Sequence, residues 1–81
     1  MSTADKALEK MRRNPRDWRI EDIIAIAERY GIEIRNSGGS HHTLSYPGVH
    51  EHISVPAHRP IKPAYIKQFV LFVDAVKEQR S

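Results

Sequence analysis

The sequence predicts an α+β domain: a three-stranded antiparallel sheet, one face covered by two helices, with an extra helix in front. Three observations carry that prediction. The segments 19–30 and 63–79 place their apolar residues on helical stripes. Between them, apolar and polar side chains alternate with the strand period of two. Turn residues at Asn36-Ser37-Gly38-Gly39-Ser40 and Pro47-Gly48-Val49 divide that region, and the second turn is short enough to make its strands a hairpin. Three such strands have one face to bury, and two amphipathic helices cover it.

The elements follow in order. Thr3 to Arg13 reads as a short polar helix with Ala4, Ala7, Leu8 and Met11 at helical spacing, and Asn14-Pro15 stops it. The next helix, Arg19 to Tyr30, carries Ile20, Ile23, Ile24, Ala27 and Tyr30 on one stripe. Gly31 stands where a left-handed cap belongs. Ile32 and Ile34 alternate with Glu33 and Arg35 in a half-buried strand. A second strand runs from His41 to Tyr46 and a third from Glu51 to Val55. Pro56 to Pro60 is loop. Pro63 suits the first turn of a last helix reaching Gln79. Its stripe is Ile66, Phe69, Val70, Val73 and Val76, widened by Tyr65 and Phe72. Leu71 falls off that stripe and reads as a scattered surface leucine. There are no internal repeats. Residues 1–18 read as an N-terminal helical extension and 19–81 as a single domain.

Composition narrows the function. A chain of 81 residues forms one small domain. Thirteen Lys and Arg against ten Asp and Glu give +3 with neutral histidines, which suits an anionic partner without separating RNA, DNA and an acidic protein surface. With no Cys, disulfide frameworks, thiolate zinc sites, iron–sulfur clusters and thiol nucleophiles are excluded. No apolar run approaches the ~18 residues of a membrane span. The opening residues carry acids where a signal peptide wants an apolar stretch, so a cytoplasmic location is expected. No glycine-rich phosphate loop is present. So short a chain favours a shallow site and a substrate bound by charge, as in a nuclease or a binding module.

All five histidines, His41, His42, His50, His52 and His58, fall in one short stretch. Strand alternation separates them. If Leu44 and Tyr46 face the core, His42 shares their side and His41, Thr43 and Ser45 point to the open face. If Ile53 and Val55 face in, His52 and Ser54 point out. Arg59 and Lys62 then border that open face. This assumes regular pairing; one bulge would exchange the roles of His41 and His42. Three readings of the cluster compete. His41 is an acid–base catalyst, since imidazole, with an ordinary pKa of ~6.5, suits proton transfer at neutral pH. RNA needs little more: the 2′-hydroxyl attacks the adjacent phosphate while donors stabilise the phosphorane. The Gly38-Gly39-Ser40 turn would let backbone N–H groups approach that phosphate, with Arg59 or Lys62 on a neighbour. Alternatively the histidines bind zinc, although neither His50-Glu51-His52 nor His41-His42 has the spacing of a strong metal signature. In the third reading they are unreactive, which is favoured for every histidine but His41. Trp18 reads as a core or staple residue, and Arg12, Arg13, Arg16 and Arg19 as a solvated face.

Gly39-Ser40-His41-His42, then Pro47-Gly48, then Ile53-Ser54-Val55-Pro56 with His58 two residues on, resembles the HicA family of toxins. Ile61-Lys62-Pro63-Ala64-Tyr65-Ile66-Lys67 is similar to the segment that opens that family's last helix. The resemblance spans Ile20 to Val76. It implies an α-β-β-β-α fold similar to double-stranded-RNA-binding domains, in agreement with the order above. It implies a type II toxin–antitoxin toxin that cleaves mRNA without a metal or other cofactor, centred on the first histidine after the Gly-Ser pair, here His41. It also implies a HicB-type antitoxin that covers the site and carries the DNA-binding part, so DNA is met only through that partner. Residues 1–18 have no counterpart in the shortest members, and Ala64 stands where glycine is common.

The leading expectation is therefore a toxin ribonuclease with His41 as general base, acid or both. Gly39 and Ser40 shape its phosphate site, and Arg59, Lys62 and Lys67 attract the RNA backbone. The alternative is a non-catalytic RNA-binding module of the same fold, with a histidine metal-binding domain third. His58 is a candidate second acid–base group. Because the attraction is electrostatic, RNA affinity should fall steeply as salt rises in a filter-binding series; a salt-insensitive affinity would count against the basic face.

Overall fold

The computed structural model describes residues 3–36 and 38–80; Met1, Ser2, Ser37 and Ser81 lie outside that range. Ser37 is the second position of the expected first turn. The elements are α1 (Thr3–Arg13), α2 (Ile20–Arg29), β1 (Glu33–Asn36), β2 (His41–Tyr46), β3 (Val49–Pro56) and α3 (Pro63–Arg80). The strands form one antiparallel sheet in the order β1-β2-β3. α2 lies against β1 and α3 against β3, while α1 crosses both helices. This is the expected α-β-β-β-α arrangement with a helix in front.

Local chemistry sets the boundaries. The Arg19 N–H donates to the Asp22 carboxylate at 3.0 Å where α2 begins, and the acidic pair Glu21 and Asp22 lies at the positive end of the helix dipole. At the other end Gly31 has φ 71, its N–H donates to the Glu28 carbonyl at 3.3 Å, and Ile32 N–H donates to the Ala27 carbonyl at 2.9 Å. That is a Schellman cap. It spends the Ile32 N–H on the helix, so β1 starts at Glu33, one residue later than expected, and runs through Asn36. Pro47-Gly48 turns β2 into β3 with φ 90 at Gly48, the left-handed value that a type II turn requires at its second central residue. A Cβ at Gly48 would collide with the Gln79 side chain of α3. This tight turn lets pairing begin at Val49, so β3 is longer than the alternation alone suggests.

The core lies between sheet and helices. Leu44 and Val55 come from the covered face of the sheet, Ile23, Ile26 and Ala27 from α2, and Ile66, Phe69, Val73 and Val76 from α3. On α2 the buried stripe includes Ile26, at 3 % exposure, whereas Ile20 and Ile24 are only half-buried. The stripe is rotated from the expected one because α1 packs on that flank of α2.

α1 belongs to the same core. Ala4, Leu8 and Met11 are buried within it. Polar ties frame this packing. The Arg12 guanidinium donates to both carboxylate oxygens of Asp74 in α3, at 2.9 and 2.8 Å, and to Glu9 at 3.2 Å. Hydrogen bonding to these two carboxylates, Asp74 foremost, pushes its pKa above the ordinary arginine value. The Tyr30 hydroxyl donates to Asp5, while Lys77 lies 3.6 Å from Asp5 and 5.5 Å from the Tyr30 ring centre. Burial first, and the Asp5 hydrogen bond second, raise the Tyr30 phenol well above its usual range. A raised folded pKa means that this contribution is complete below the unfolded tyrosine value and fades as pH climbs through the folded one.

Two outcomes follow from this packing. Leu8→Ala empties a fully buried site and should cost about 2–5 kcal/mol, lowering the thermal midpoint by roughly ten degrees or more in a calorimetric scan. Tyr30→Phe removes the titrating hydroxyl, so its stability should decline less than wild type's across about pH 9 to 11, as read by urea unfolding at each pH.

Candidate active site on the open face of the sheet

Register decides which side chains share the open face. His41 pairs with Pro56, His42 with Val55, Thr43 with Ser54 and Leu44 with Ile53. Leu44 and Val55 are fully buried, so His42 stands on the covered side and His41, Thr43 and Ser54 on the open one. His41 and Thr43 are exposed, and no hydrogen bond or ion pair to another described residue holds the His41 ring. A bulge does occur, at the far end of the pair: between Leu44–Ile53 and Tyr46–Val49, Ser45 faces His50, Glu51 and His52. It therefore leaves the sidedness of His41 and His42 intact. It also breaks the alternation of β3, which leaves His50, Glu51 and His52 all exposed.

The turn before His41 is organised by Asn36. Its Oδ1 accepts the Gly38 N–H at 2.8 Å, an Asx turn, and its Nδ2 lies 3.0 Å from His42 Nε2. The amide nitrogen can only donate, so Nε2 accepts and the ring proton sits on Nδ1. That nitrogen is buried without a partner among the described residues. His42 is thus committed to the fold rather than free for chemistry. Gly38 has φ 93 and needs to be glycine; Gly39 lacks that constraint, and a Cβ on it would meet nothing within 4 Å. Any need for glycine at 39 must come from what approaches the turn.

The loop after β3 is held at the same end of the sheet. Ala57 N–H donates to the Ser40 carbonyl at 2.7 Å, which brings the His58–Lys62 segment alongside the entrance of β2. His58 and Arg59 are exposed, and Arg59 pairs with Glu21 at 3.2 Å. Lys62 is exposed and its carbonyl accepts the N–H groups of Tyr65 and Ile66, opening α3. Lys67 is placed elsewhere, in a groove with Met11, Arg12, Val70 and Leu71 between α1 and α3. Sequence reasoning missed two polar groups. Arg35, paired across from Thr43 and 2.9 Å from Glu33, adds a cation to the open face; strand alternation from Ile34 was the signal for it. Asn36 was read only as a turn residue, and its position two before Gly38 was its signal.

Residues 20–73, well over half of the chain, match the family model described as the HicA toxin of bacterial toxin–antitoxin systems. The chain belongs to the HicA toxin family. No curated protein and no solved structure matches it significantly. Membership makes this protein a HicA toxin of a toxin–antitoxin system, with an antitoxin partner implied. The match begins at the first residue of α2 and takes in the Asn36 turn, His41 and the whole His58–Lys62 loop, whereas α1 and its connector precede it.

Two other features of this HicA chain bear on its chemistry. Among the described residues, no three His, Cys, Asp or Glu side chains converge as a metal-binding group. An open groove of about 640 Å³ runs between β3 and α3, lined by His50, His52, Phe72 and Leu71 among others. Leu71, read as a scattered surface leucine, is 66 % exposed on its rim. No helix among the described residues is long and apolar enough to cross a membrane.

The histidines should respond differently to substitution. His42→Phe replaces a ring with one unsatisfied buried nitrogen by an apolar ring, so its thermal midpoint should stay within a few degrees of wild type. Asn36→Ala removes the hydrogen bond to Gly38 and should cost about 1 kcal/mol, with faster amide exchange at Gly38.

Proposed function

We propose that this HicA toxin is a metal-independent endoribonuclease that cleaves mRNA in the cytoplasm and is neutralised by a HicB-type antitoxin covering its site. DNA is met only through that antitoxin. The observation that supports this reading best is an exposed His41, without a partner among the described residues, on the open sheet face next to a glycine turn and a cationic loop. A binding surface needs Lys and Arg; it does not need a free imidazole at its centre.

The chemistry is proton transfer around one phosphate. His41, as base, takes the proton of a ribose 2′-hydroxyl, and the 2′-oxygen attacks phosphorus. The bond to the 5′-oxygen breaks, leaving a 2′,3′-cyclic phosphate and a 5′-hydroxyl that takes up a proton. His41 serves as base, acid or both. The Gly38 N–H is already spent on Asn36, so the N–H groups of Gly39 and Ser40 are the turn's donors to the phosphorane. Arg59 and Lys62 hold neighbouring phosphates. Lys67, on the helix layer, adds only to the long-range field that draws RNA in.

The test is cleavage of a purified mRNA in EDTA by wild type, His41→Ala, His42→Ala and Gly39→Val. Wild type and folded His42→Ala should cut, and His41→Ala should lose about 10²–10⁴-fold in rate. Gly39→Val should fold normally, because the space beside it is open, yet cut poorly because its side chain blocks the phosphate. RNA bound but cut by none of them would make the protein a binding module. Cutting that EDTA abolishes would restore the metal reading.

A further inference from the structure

We propose that the connector between α1 and α2, residues 14–19, is a positioning element for the loop that carries His58, Arg59 and Lys62. Through that loop it sets how well the His41 face captures RNA. This assignment rests on the ribonuclease reading above and gives the segment ahead of the family match a part in the site.

The loop is suspended between two backbone hydrogen bonds. At one end Ala57 N–H donates to the Ser40 carbonyl at 2.7 Å, which ties it to the strand bearing His41. At the other, Ile61 N–H donates to the Trp18 carbonyl at 2.9 Å, and the Ile61 side chain is 1 % exposed. A bond flanked by a buried side chain is shielded from water, and each anchor has one beside it, Pro56 at the first and Ile61 at the second. His58 and Arg59 lie between the anchors. Moving Trp18 therefore moves the span that carries them.

The connector is built to hold Trp18 still. Asn14 N–H closes α1 onto the Lys10 carbonyl at 2.8 Å, and the Asn14 side chain accepts the Arg16 N–H at 3.2 Å. The Trp18 indole N–H returns to the Asn14 carbonyl at 2.7 Å, while the ring packs half-buried against the core. Between them Asp17 adopts φ 63, a left-handed conformation uncommon outside glycine and tolerated by Asp. Such a conformation persists where its surroundings over-determine it. One side chain and two backbone carbonyls thus fix the place of the Trp18 carbonyl. The Arg59–Glu21 pair at 3.2 Å is a third tie; both partners are largely exposed, so it steers Arg59 without anchoring the loop.

The experiment compares wild type, Trp18→Ala, Trp18→Phe and Asn14→Ala. Three readouts are taken on each: amide exchange at Ala57, Ile61 and Leu44, KM and kcat for a model RNA, and the RNA dissociation constant. Trp18→Ala should speed exchange at Ile61 by about tenfold while leaving Leu44 near its wild-type rate. Its KM should rise about fivefold with kcat within about twofold, because the displaced groups capture RNA. Trp18→Phe keeps an aromatic ring against the core but loses the indole N–H bond to Asn14, so its KM should fall between those of wild type and Trp18→Ala. Asn14→Ala changes an exposed residue and empties no core, so it should fold and move Ile61 exchange and KM about twofold the same way. Faster exchange at Ile61 with KM and the dissociation constant unchanged would overturn the proposal. A uniform loss of protection that includes Leu44, with kcat falling alongside, would overturn it too, as the mark of a purely structural tryptophan. If wild type binds RNA without cutting it, the ribonuclease reading fails by itself, and exchange with the dissociation constants still decides the connector's part.

Discussion

Burial of one face of a three-stranded sheet is the constraint on which the rest of this molecule depends. Leu44 and Val55 are sealed against α3 and α2, and strand side chains alternate, so every neighbour on β2 and β3 near them has its side decided. A slip of one residue would bury His41 and expose Leu44. The hydrophobic cost of that exchange is about 2 kcal/mol for the leucine alone, before any penalty for the imidazole. The exposed position of His41 is thus a by-product of packing on the opposite face. The bulge opposite Ser45 respects the same logic: it falls beyond Leu44, where an irregularity no longer changes which of His41 and His42 reaches solvent.

Polar groups then refine what packing allows. Asn36 spends one end of its amide on the turn and the other on His42, which couples the shape of the turn to the residue after His41. The buried Nδ1 of His42 is left over, a cost of about 1–3 kcal/mol that the fold carries at this point. On the other side of the site, the backbone bonds Ala57–Ser40 and Ile61–Trp18 convert a proline-rich loop into a held span. α1, which leads into the Trp18 connector, is itself fixed by Leu8 and Met11 in the core and by Arg12 on Asp74 of α3.

Most of the architecture was legible because its signals are local. Helical stripes, Gly31, Pro63 and the Pro47-Gly48 turn each act through neighbours a few residues away. The departures have tertiary or competing local causes. Ile26 is buried because α1 covers its flank, which no periodicity within α2 can report. Ile32 leaves β1 because the helix cap takes its N–H. His50, Glu51 and His52 escape strand alternation through a bulge, which a period-two pattern cannot contain. In the candidate site, the sidedness of His41 was legible by parity. The second bond of Asn36, the pairing of Arg35 opposite Thr43 and the placing of Lys67 with α1 emerge only from the assembled strands and helices.

By itself the sequence determined the order of elements, the side of the sheet that is buried, and so which of His41 and His42 faces out. It could do so because propensity, capping and alternation are properties of short stretches of chain. Tertiary structure alone decided how the loop bearing His58, Arg59 and Lys62 meets the strand bearing His41. It alone decided that Trp18, some forty residues before Ile61, holds the loop's far end. Such contacts join distant segments through backbone groups that every residue has, and a group common to all residues leaves no mark in the sequence.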